Sequence, residues 1–193
     1  MDARHATTGL DAPTLPRHRF TVADVHAMQA AGVIHDGQVE LLGGELVTMA
    51  AKRNEHELAK RRLVRWLAAV VPADAAVAVE STLYLSRADA PEPDIMIYPD
   101  RLLPEDVRGA DLDLLVEIAV ESLGQDLGAK ASLYARHGVR LYWVIDPVNR
   151  QVHVHDGPNP QTGQWTRIQI LSSPDSLHAP VGMGQISIGD LTG

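Results

Sequence analysis

Glu117 is a carboxylate in the middle of an apolar run. The run reads LLVEIAV over residues 114–120, a composition typical of a strand that is buried on both faces. A carboxylate in such a place costs several kcal/mol unless it is paired, protonated or bound to a metal. The rest of the sequence must therefore supply a group that compensates for Glu117.

Asp94 is the first candidate partner. It begins a short apolar strand, Asp94 to Tyr98, and the polar loop 99–112 leads from there to the Glu117 strand. An antiparallel pair with Tyr98 opposite Asp113 sets Asp94 opposite Glu117, where directly opposed residues lie about 4.5–5.5 Å apart at Cβ. Two carboxylates this close repel each other. A divalent cation such as Mg²⁺ or Mn²⁺ between them removes the repulsion, because hard cations prefer carboxylate oxygens.

Lys130 adds a positive charge to this pair. The segment 126–138 has helical periodicity, with an apolar stripe that includes Ala131 and Tyr134. Lys130 lies on the flank of this stripe, on the side that faces the sheet. A lysine there can reach over the end of the strand that carries Glu117. Aspartate, glutamate and lysine around a metal favour phosphodiester hydrolysis as the chemistry of the site.

The ordered set of motifs resembles the PD-(D/E)XK nuclease superfamily and, within it, the Uma-two family of restriction endonucleases. The matching residues are VELLGGEL at 39–46, His56, Glu80, Pro93-Asp94, Val116-Glu117-Ile118, Asp126, Lys130, Tyr134 and GVRLYWVIDP at 138–147. The resemblance implies a restriction-endonuclease-like α/β (α+β) fold, in which helices flank a mixed central β-sheet. A metal-dependent endonuclease that acts on DNA is the implied function. Cleavage of both strands needs two sites, which favours a homodimer.

The resemblance also implies a role for each candidate residue. Asp94 and Glu117, with the carbonyl of Ile118, would hold Mg²⁺ or Mn²⁺. Lys130 would orient the attacking water or help to deprotonate it, and would offset charge in the transition state. The residues expected to support this centre are Glu40, His56, Glu80 and Asp126.

Simpler interpretations of three of these residues stay open. Glu40 could be a charge on an open face, His56 a core or surface histidine, and Glu80 an exposed residue of a strand. Only Asp126 has a specific expected partner, since it precedes Lys130 by one helical turn and could hold the lysine in place.

Two positions depart from the pattern of the superfamily. Its usual lysine would fall at residue 119, which is Ala119. The role therefore passes to Lys130 on the helix, a relocation typical of the family resembled. The usual Ser-Pro after the acidic strand is replaced by Val120-Glu121, which adds a carboxylate near the site.

The elements that must position these residues follow from the pattern along the chain. They are a helix capped by Thr21, a hairpin about Gly43-Gly44, a helix from Asn54 with Glu57 completing a capping box, a strand over 77–86, the two acidic strands, the Lys130 helix and a strand over 141–146. Because strand–helix–strand units make right-handed parallel crossovers, the sheet should be mixed. VHVH at 152–155 and WTRIQIL at 165–171 extend it as antiparallel strands.

Positive charge is concentrated in one segment of an acidic chain, whose net charge is −8. The cationic residues expected to contact DNA phosphates are Lys52, Arg53, Lys60, Arg61, Arg62 and Arg65. Their positions surround much of the polar side of a helix, so a solvated helix face is the competing interpretation.

Length and composition place the chain in a broad class. Its 193 residues suit one domain over 18–193 behind a loose tail at 1–17. The absence of cysteine excludes disulfides and thiolate chemistry, and it fits a reducing cytoplasm. No apolar run approaches the roughly 20 residues needed to span a bilayer.

Two alternatives to catalysis remain at this level. The chain could be a nucleic-acid-binding or regulatory protein on a nuclease-like scaffold, catalytically weak or silent, because fold does not guarantee activity. The acidic balance and Glu121 favour this interpretation modestly. The second alternative is that Asp94, Glu117 and Lys130 form only a buried ion-pair network.

Overall fold

The computed structural model describes residues 17–35, 37–49, 52–180 and 184–193. Its helices are α1 (Val22–Ala30), α2 (Asn54–Val70), α3 (Leu123–Gln125), α4 (Ala131–Arg136) and α5 (Ile188–Thr192). Its strands are β1 (Val39–Leu42), β2 (Glu45–Thr48), β3 (Ala75–Val79), β4 (Ile95–Pro99), β5 (Leu114–Ile118), β6 (Leu141–Asp146), β7 (Gln151–Asn159), β8 (Gln164–Ser172), β9 (Ser176–His178) and β10 (Gln185–Ser187). Of the tail predicted at 1–17, all but Arg17 lies outside the described residues.

A six-stranded sheet with the order β3-β4-β5-β6-β7-β8 forms the centre of the molecule. Only β5 and β6 run parallel, and the helical segment 123–136 makes the crossover between them. The other neighbours pair antiparallel. The predicted mixed sheet with antiparallel strands at its C-terminal side is therefore confirmed.

The register between β4 and β5 is the one that the sequence predicts. Ile95 lies opposite Val116, and Ile97 lies opposite Leu114. If this register is continued by one residue, Asp94 lies directly opposite Glu117. The loop between the strands is held in place by Val107 and Leu112, which are buried among the residues of one sheet face.

Two apolar cores lie on the two faces of this sheet. On one face, α2 and α5 pack against a cluster that includes Trp143 of β6. On the other face, α4 packs its Tyr134 against Tyr142 of β6, with ring centroids 5.0 Å apart. Burial on both faces explains why β5 and β6 are apolar almost throughout.

The N-terminal elements agree with their sequence signals. Thr21 caps α1 and forms a capping box with Asp24. The hairpin of β1 and β2 turns through Gly43 and Gly44, whose φ angles of 58° and 76° are those of a tight hairpin turn. No helix in the described part of the chain is long and apolar enough to cross a membrane.

Two details of the predicted elements are wrong. The strand predicted over 77–86 ends at Val79, because Glu80 adopts a φ of 50° that breaks the extended backbone. The capping box predicted at Asn54 does not form either. Arg53 occupies the cap position without a side-chain hydrogen bond, and Glu57 accepts a hydrogen bond from Lys60 instead.

Candidate active site

A pocket opens at the end of the central strands where β4 begins and β5 ends. The predicted site residues that line it are Glu40, His56, Asp94, Glu117, Ile118, Asp126 and Lys130. They come from four separate elements: the hairpin, the first turn of α2, the β4–β5 strand pair and the helical segment 123–136. The structure therefore brings together residues that are far apart in the sequence.

The Lys130 ammonium lies at the centre of the buried charges. Its Nζ is 2.8 Å from Glu40 Oε1 and 3.0 Å from Glu117 Oε1. Asp126 Oδ1 is more distant, at 3.9 Å. Lys130 is only 6% exposed, so these carboxylates replace the water that would otherwise solvate its ammonium group.

A π-helical turn over Asp126–Lys130 places this lysine. The N–H of Ala131 donates to the carbonyl of Asp126, five residues back, and Tyr142 Oη also donates to that carbonyl at 3.0 Å. The wider turn buries both Asp126 and Lys130 on the side of the sheet. Such single π turns are frequent at functional sites, and the sequence pattern did not predict this one.

Asp94 is oriented through both of its carboxylate oxygens. The backbone N–H of Ile118 donates to Oδ2 at 2.7 Å, and His56 Nε2 lies 2.9 Å from Oδ1. Because the N–H and C=O of one strand residue point to the same side, the carbonyl of Ile118 also faces Asp94. Two carboxylates and a carbonyl thus converge on one end of the strand pair.

Tyr134 and Glu92 complete the hydrogen bonds of the two glutamates. Tyr134 Oη donates to Glu117 Oε1 at 2.7 Å, and the backbone N–H of Glu92 donates to Glu40 Oε1 at 2.7 Å. Glu117 Oε1 is therefore saturated by Lys130 and Tyr134, while Oε2 receives no hydrogen bond from the described residues. The sequence includes Tyr134 among the matching positions, but only the fold shows its contact with Glu117.

Burial and mutual charge shift the ionisation of the group. Burial raises the pKa of Glu117 well above its usual range, although the Lys130 ammonium acts in the opposite direction. Burial also raises the pKa of Asp126. Desolvation acts to lower the pKa of Lys130, but Glu117 and Glu40 outweigh it and hold the pKa above its ordinary value. For His56 likewise, burial acts to lower the pKa, but the hydrogen bond and the charge of Asp94, together with the hydrogen bond to Glu57, outweigh it, and the pKa is raised.

The cations nearest the pocket are all paired with glutamates. Arg53 Nε donates to Glu121 at 2.7 Å, and both side chains line the pocket. Lys52, also in the lining, lies 2.8 Å from Glu80 Oε1. Lys60 contacts Glu80 as well. Glu80 thus organises two lysines beside the pocket and does not itself line it.

The remaining arginines of the basic segment point elsewhere. Helix α2 buries His56, Ala59, Leu63 and Leu67. Since a helix advances about 100° per residue, Arg61 and Arg65 lie roughly 140° and 180° around the axis from His56. Both are exposed, and neither lines the pocket. The basic segment is therefore split between a part beside the pocket and a part on the outer face of α2.

The donor set suits a hard divalent cation. Within the described residues, no three histidine or acidic side chains converge closely enough to form a metal cluster by themselves. The predicted ligands are instead two carboxylates, Asp94 and Glu117, and the Ile118 carbonyl. All three donors are oxygens, which is the chemistry that Mg²⁺ and Mn²⁺ prefer.

The fold is a nuclease-like α+β fold, in which helices flank a mixed central sheet. The chain is similar to a crystal structure described as a putative nuclease belonging to DUF820 from Anabaena variabilis ATCC 29413, with a TM-score of 0.64 and 20% sequence identity, over 80% of this chain and 89% of that chain. The family model Uma2, described as "Putative restriction endonuclease", matches residues 22–190. The chain therefore belongs to the Uma2 family, and the predicted resemblance to that family is confirmed. A comparison with curated proteins found no match.

Proposed function

We propose that this protein is a metal-dependent endonuclease that hydrolyses DNA phosphodiester bonds. One observation carries the proposal: Lys130 is held between Glu40 and Glu117 in the pocket that Asp94 also lines. Family membership supports it, since the Uma2 model carries the description "Putative restriction endonuclease". The substrate, the metal and the reaction are therefore inferred for this chain from its residues and its family.

The charge balance of the pocket favours a bound cation. Four buried acidic side chains, Glu40, Asp94, Glu117 and Asp126, face one lysine and one histidine. A purely structural network would balance its charges by ion pairs or by protonation, because each unpaired buried carboxylate is costly, whereas a bound cation lets the carboxylates stay ionised. Asp94, Glu117 and the Ile118 carbonyl would hold Mg²⁺ or Mn²⁺. When bound, the metal would lower the pKa of a coordinated water and offset charge on the phosphate.

Lys130 acts as a hydrogen-bond donor and as a positive charge. Its pKa is raised by Glu117 and Glu40, so it stays an ammonium at neutral pH and is a poor proton acceptor. An ammonium in this position can orient the attacking water and stabilise negative charge that develops on the phosphate. Glu40 and Asp126 hold it in place, which limits the rotamers of a long side chain.

The surrounding residues position the centre and its substrate. His56 donates to Asp94 and fixes the direction of that carboxylate. Lys52 and Arg53 line the mouth of the pocket, where they can contact the phosphates on either side of the scissile bond. Lys60 is paired with Glu80 just outside the lining, and Arg61, Arg62 and Arg65 contribute less.

The test is an assay of the purified wild-type chain on supercoiled plasmid and on single- and double-stranded oligonucleotides. We expect cleavage with Mn²⁺ or Mg²⁺ and none with excess chelator. A matched reaction with the Asp94→Asn variant excludes a contaminating nuclease. Wild-type protein that cuts none of these substrates with either metal would refute the catalytic function.

One observation favours a catalytically silent regulatory protein as the second candidate. Lys52 and Arg53, the two cations at the mouth of the pocket, are each paired with a glutamate, which weakens their attraction for the phosphates of a DNA substrate. DNA binding measured alongside the cleavage assay separates the two functions. A regulatory protein of this kind is expected to bind DNA weakly and to cut none, whereas tight binding without cleavage would indicate a silent DNA-binding protein.

A further inference from the structure

Strand β8 forms a long exposed edge of the central sheet. It spans nine residues, Gln164–Ser172, and is the last strand in the sheet order. No strand of the described chain pairs with its outer side. Two of its residues, Ile168 and Ile170, are 55% and 58% exposed, and they stand side by side on one face of the sheet. The edge therefore combines unpaired backbone groups with exposed apolar side chains.

β8 keeps only some of the protections that usually guard such an edge. Edge strands of monomeric proteins are commonly short, bulged, or interrupted by proline or lysine. Residues 164–172 contain neither proline nor lysine, and the pairing with β7 is regular from Arg167 opposite Asp156 to Ser172 opposite Gln151. The pairing omits Thr166 and Gly157, whose φ is 67°. The side chain of Arg167 is 63% exposed and forms an ion pair with Asp156 of β7.

The opposite edge of the sheet is built differently. Strand β3 has five residues, most of them half-buried, and it ends where Glu80 breaks the extended backbone at a φ of 50°. Of the two edges of the central sheet, the β8 edge therefore offers the longer surface for a further strand, with regular pairing over Arg167–Ser172.

The symmetry of β8 selects a second copy of the same chain as the partner. Two identical edge strands can pair antiparallel about a two-fold axis perpendicular to the sheet. The residue numbers of each opposed pair are then both odd or both even, because the axis keeps every side chain on its own face of the sheet. An axis at Arg167 would oppose two arginines, which is unfavourable. An axis at Gln169 sets each Ile168 opposite Ile170 of the second copy and opposes no like charges.

We propose that β8 pairs with β8 of a second copy, about an axis at Gln169, to form a homodimer with one continuous sheet. The two exposed isoleucine pairs become buried against each other, and the unpaired backbone groups of both edges form hydrogen bonds. No residue of β8 lines the candidate active site, so both pockets stay open in this dimer. The proposal holds whether or not the protein is a nuclease.

A measurement of the oligomeric state tests the proposed β8 interface and needs neither DNA nor metal. Light scattering after size exclusion should give the mass of two chains for wild type. Ile168→Lys places like charges near the axis and should raise the dimer dissociation constant at least about tenfold. Val148→Lys is the matched control, because Val148 is 59% exposed and lies outside β8, and it should leave the dimer unchanged. A wild-type monomer at every concentration, or an Ile168→Lys dimer as stable as the control, would overturn the proposal.

Cross-linking tests the register, because the chain contains no cysteine. Gln169→Cys places the two new thiols directly opposite each other, where Cβ atoms lie about 4.5–5.5 Å apart. Thr166→Cys is the control, since its two thiols would be separated by about 20 Å along the strands. Gln169→Cys should form a disulfide-linked dimer under mild oxidation much faster than Thr166→Cys. Equal rates for the two variants would overturn the register.

Discussion

The two ends of the β4–β5 strand pair both carry acidic residues but differ in burial. At one end, Asp94 and Glu117 are 8% and 4% exposed, and Lys130 contacts Glu117. At the other end, Asp100 and Asp113 line a second cavity beside Arg101. Asp100 and Arg101 are exposed and Asp113 is half-buried. No ion pair joins these three in the described structure.

The difference comes from what covers each end. The hairpin, the first turn of α2 and the π-helical turn close over Asp94 and Glu117 and remove them from water. Among the described residues, no comparable set of elements covers Asp100 and Asp113, which stay exposed and half-buried respectively. Desolvation and a fixed partner make the interactions of a carboxylate pair strong, whereas exposed charges interact weakly. The far end of the strand pair therefore supplies matched controls for the candidate site.

The largest expected effect is the loss of stability in Lys130→Met. Removing the ammonium leaves Glu40 and Glu117 buried without their cation, which should cost about 3–5 kcal/mol of unfolding free energy. Arg101→Met at the exposed end should change it by less than about 0.5 kcal/mol. Urea unfolding of the metal-free proteins measures both values. Equal stabilities for the two variants would mean that Lys130 does not compensate the buried charges.

The second expected difference between the two ends of the strand pair is in the rate of DNA cleavage by their variants. Asp94→Asn removes a proposed metal ligand and is expected to lower the rate of metal-dependent DNA cleavage by about 10²–10³-fold, as for the loss of one transition-state contact. Asp113→Asn should keep the wild-type rate. Initial rates with Mn²⁺ on one plasmid substrate measure the comparison. Similar rates for the two variants would remove the pocket from the reaction.

Metal binding offers a third comparison that does not depend on activity. A cation bound to the folded state at 100 times its dissociation constant stabilises the protein by about 2.7 kcal/mol. Mn²⁺ should therefore raise the Tm of wild type and of Asp113→Asn. It should not raise the Tm of Asp94→Asn. A shift lost in Asp113→Asn and kept in Asp94→Asn would place the metal at the wrong end of the strand pair.

The smallest expected effect concerns the glutamates at the mouth of the pocket. Glu121→Gln frees Arg53 from its ion pair, so DNA should bind more tightly. The slope of log K against log salt should steepen by about 0.9 if Arg53 gains one phosphate contact. Glu55→Gln changes the net charge equally on exposed helix surface and should leave the slope unchanged. Identical slopes for both variants would show that Arg53 does not contact phosphates.

The sequence by itself predicted the strand pair and the residues at its end. The apolar run around Glu117 and the apolar strand that Asp94 begins predict an antiparallel pair with Tyr98 opposite Asp113, and this register carries Asp94 to Glu117. Local signals also predicted the Thr21 cap and the hairpin turn at Gly43 and Gly44. These features depend on short-range geometry, which periodicity and turn chemistry report directly.

Only the tertiary structure decided which of several possible partners each charge contacts. Glu40 could have been an exposed strand residue, yet it is buried against Lys130. Glu80 was expected near the centre, but the backbone break at that residue turns it toward Lys52 and Lys60. Contacts of this kind join residues distant in the chain, and they depend on helix packing and a π turn that a hydrophobic pattern does not encode.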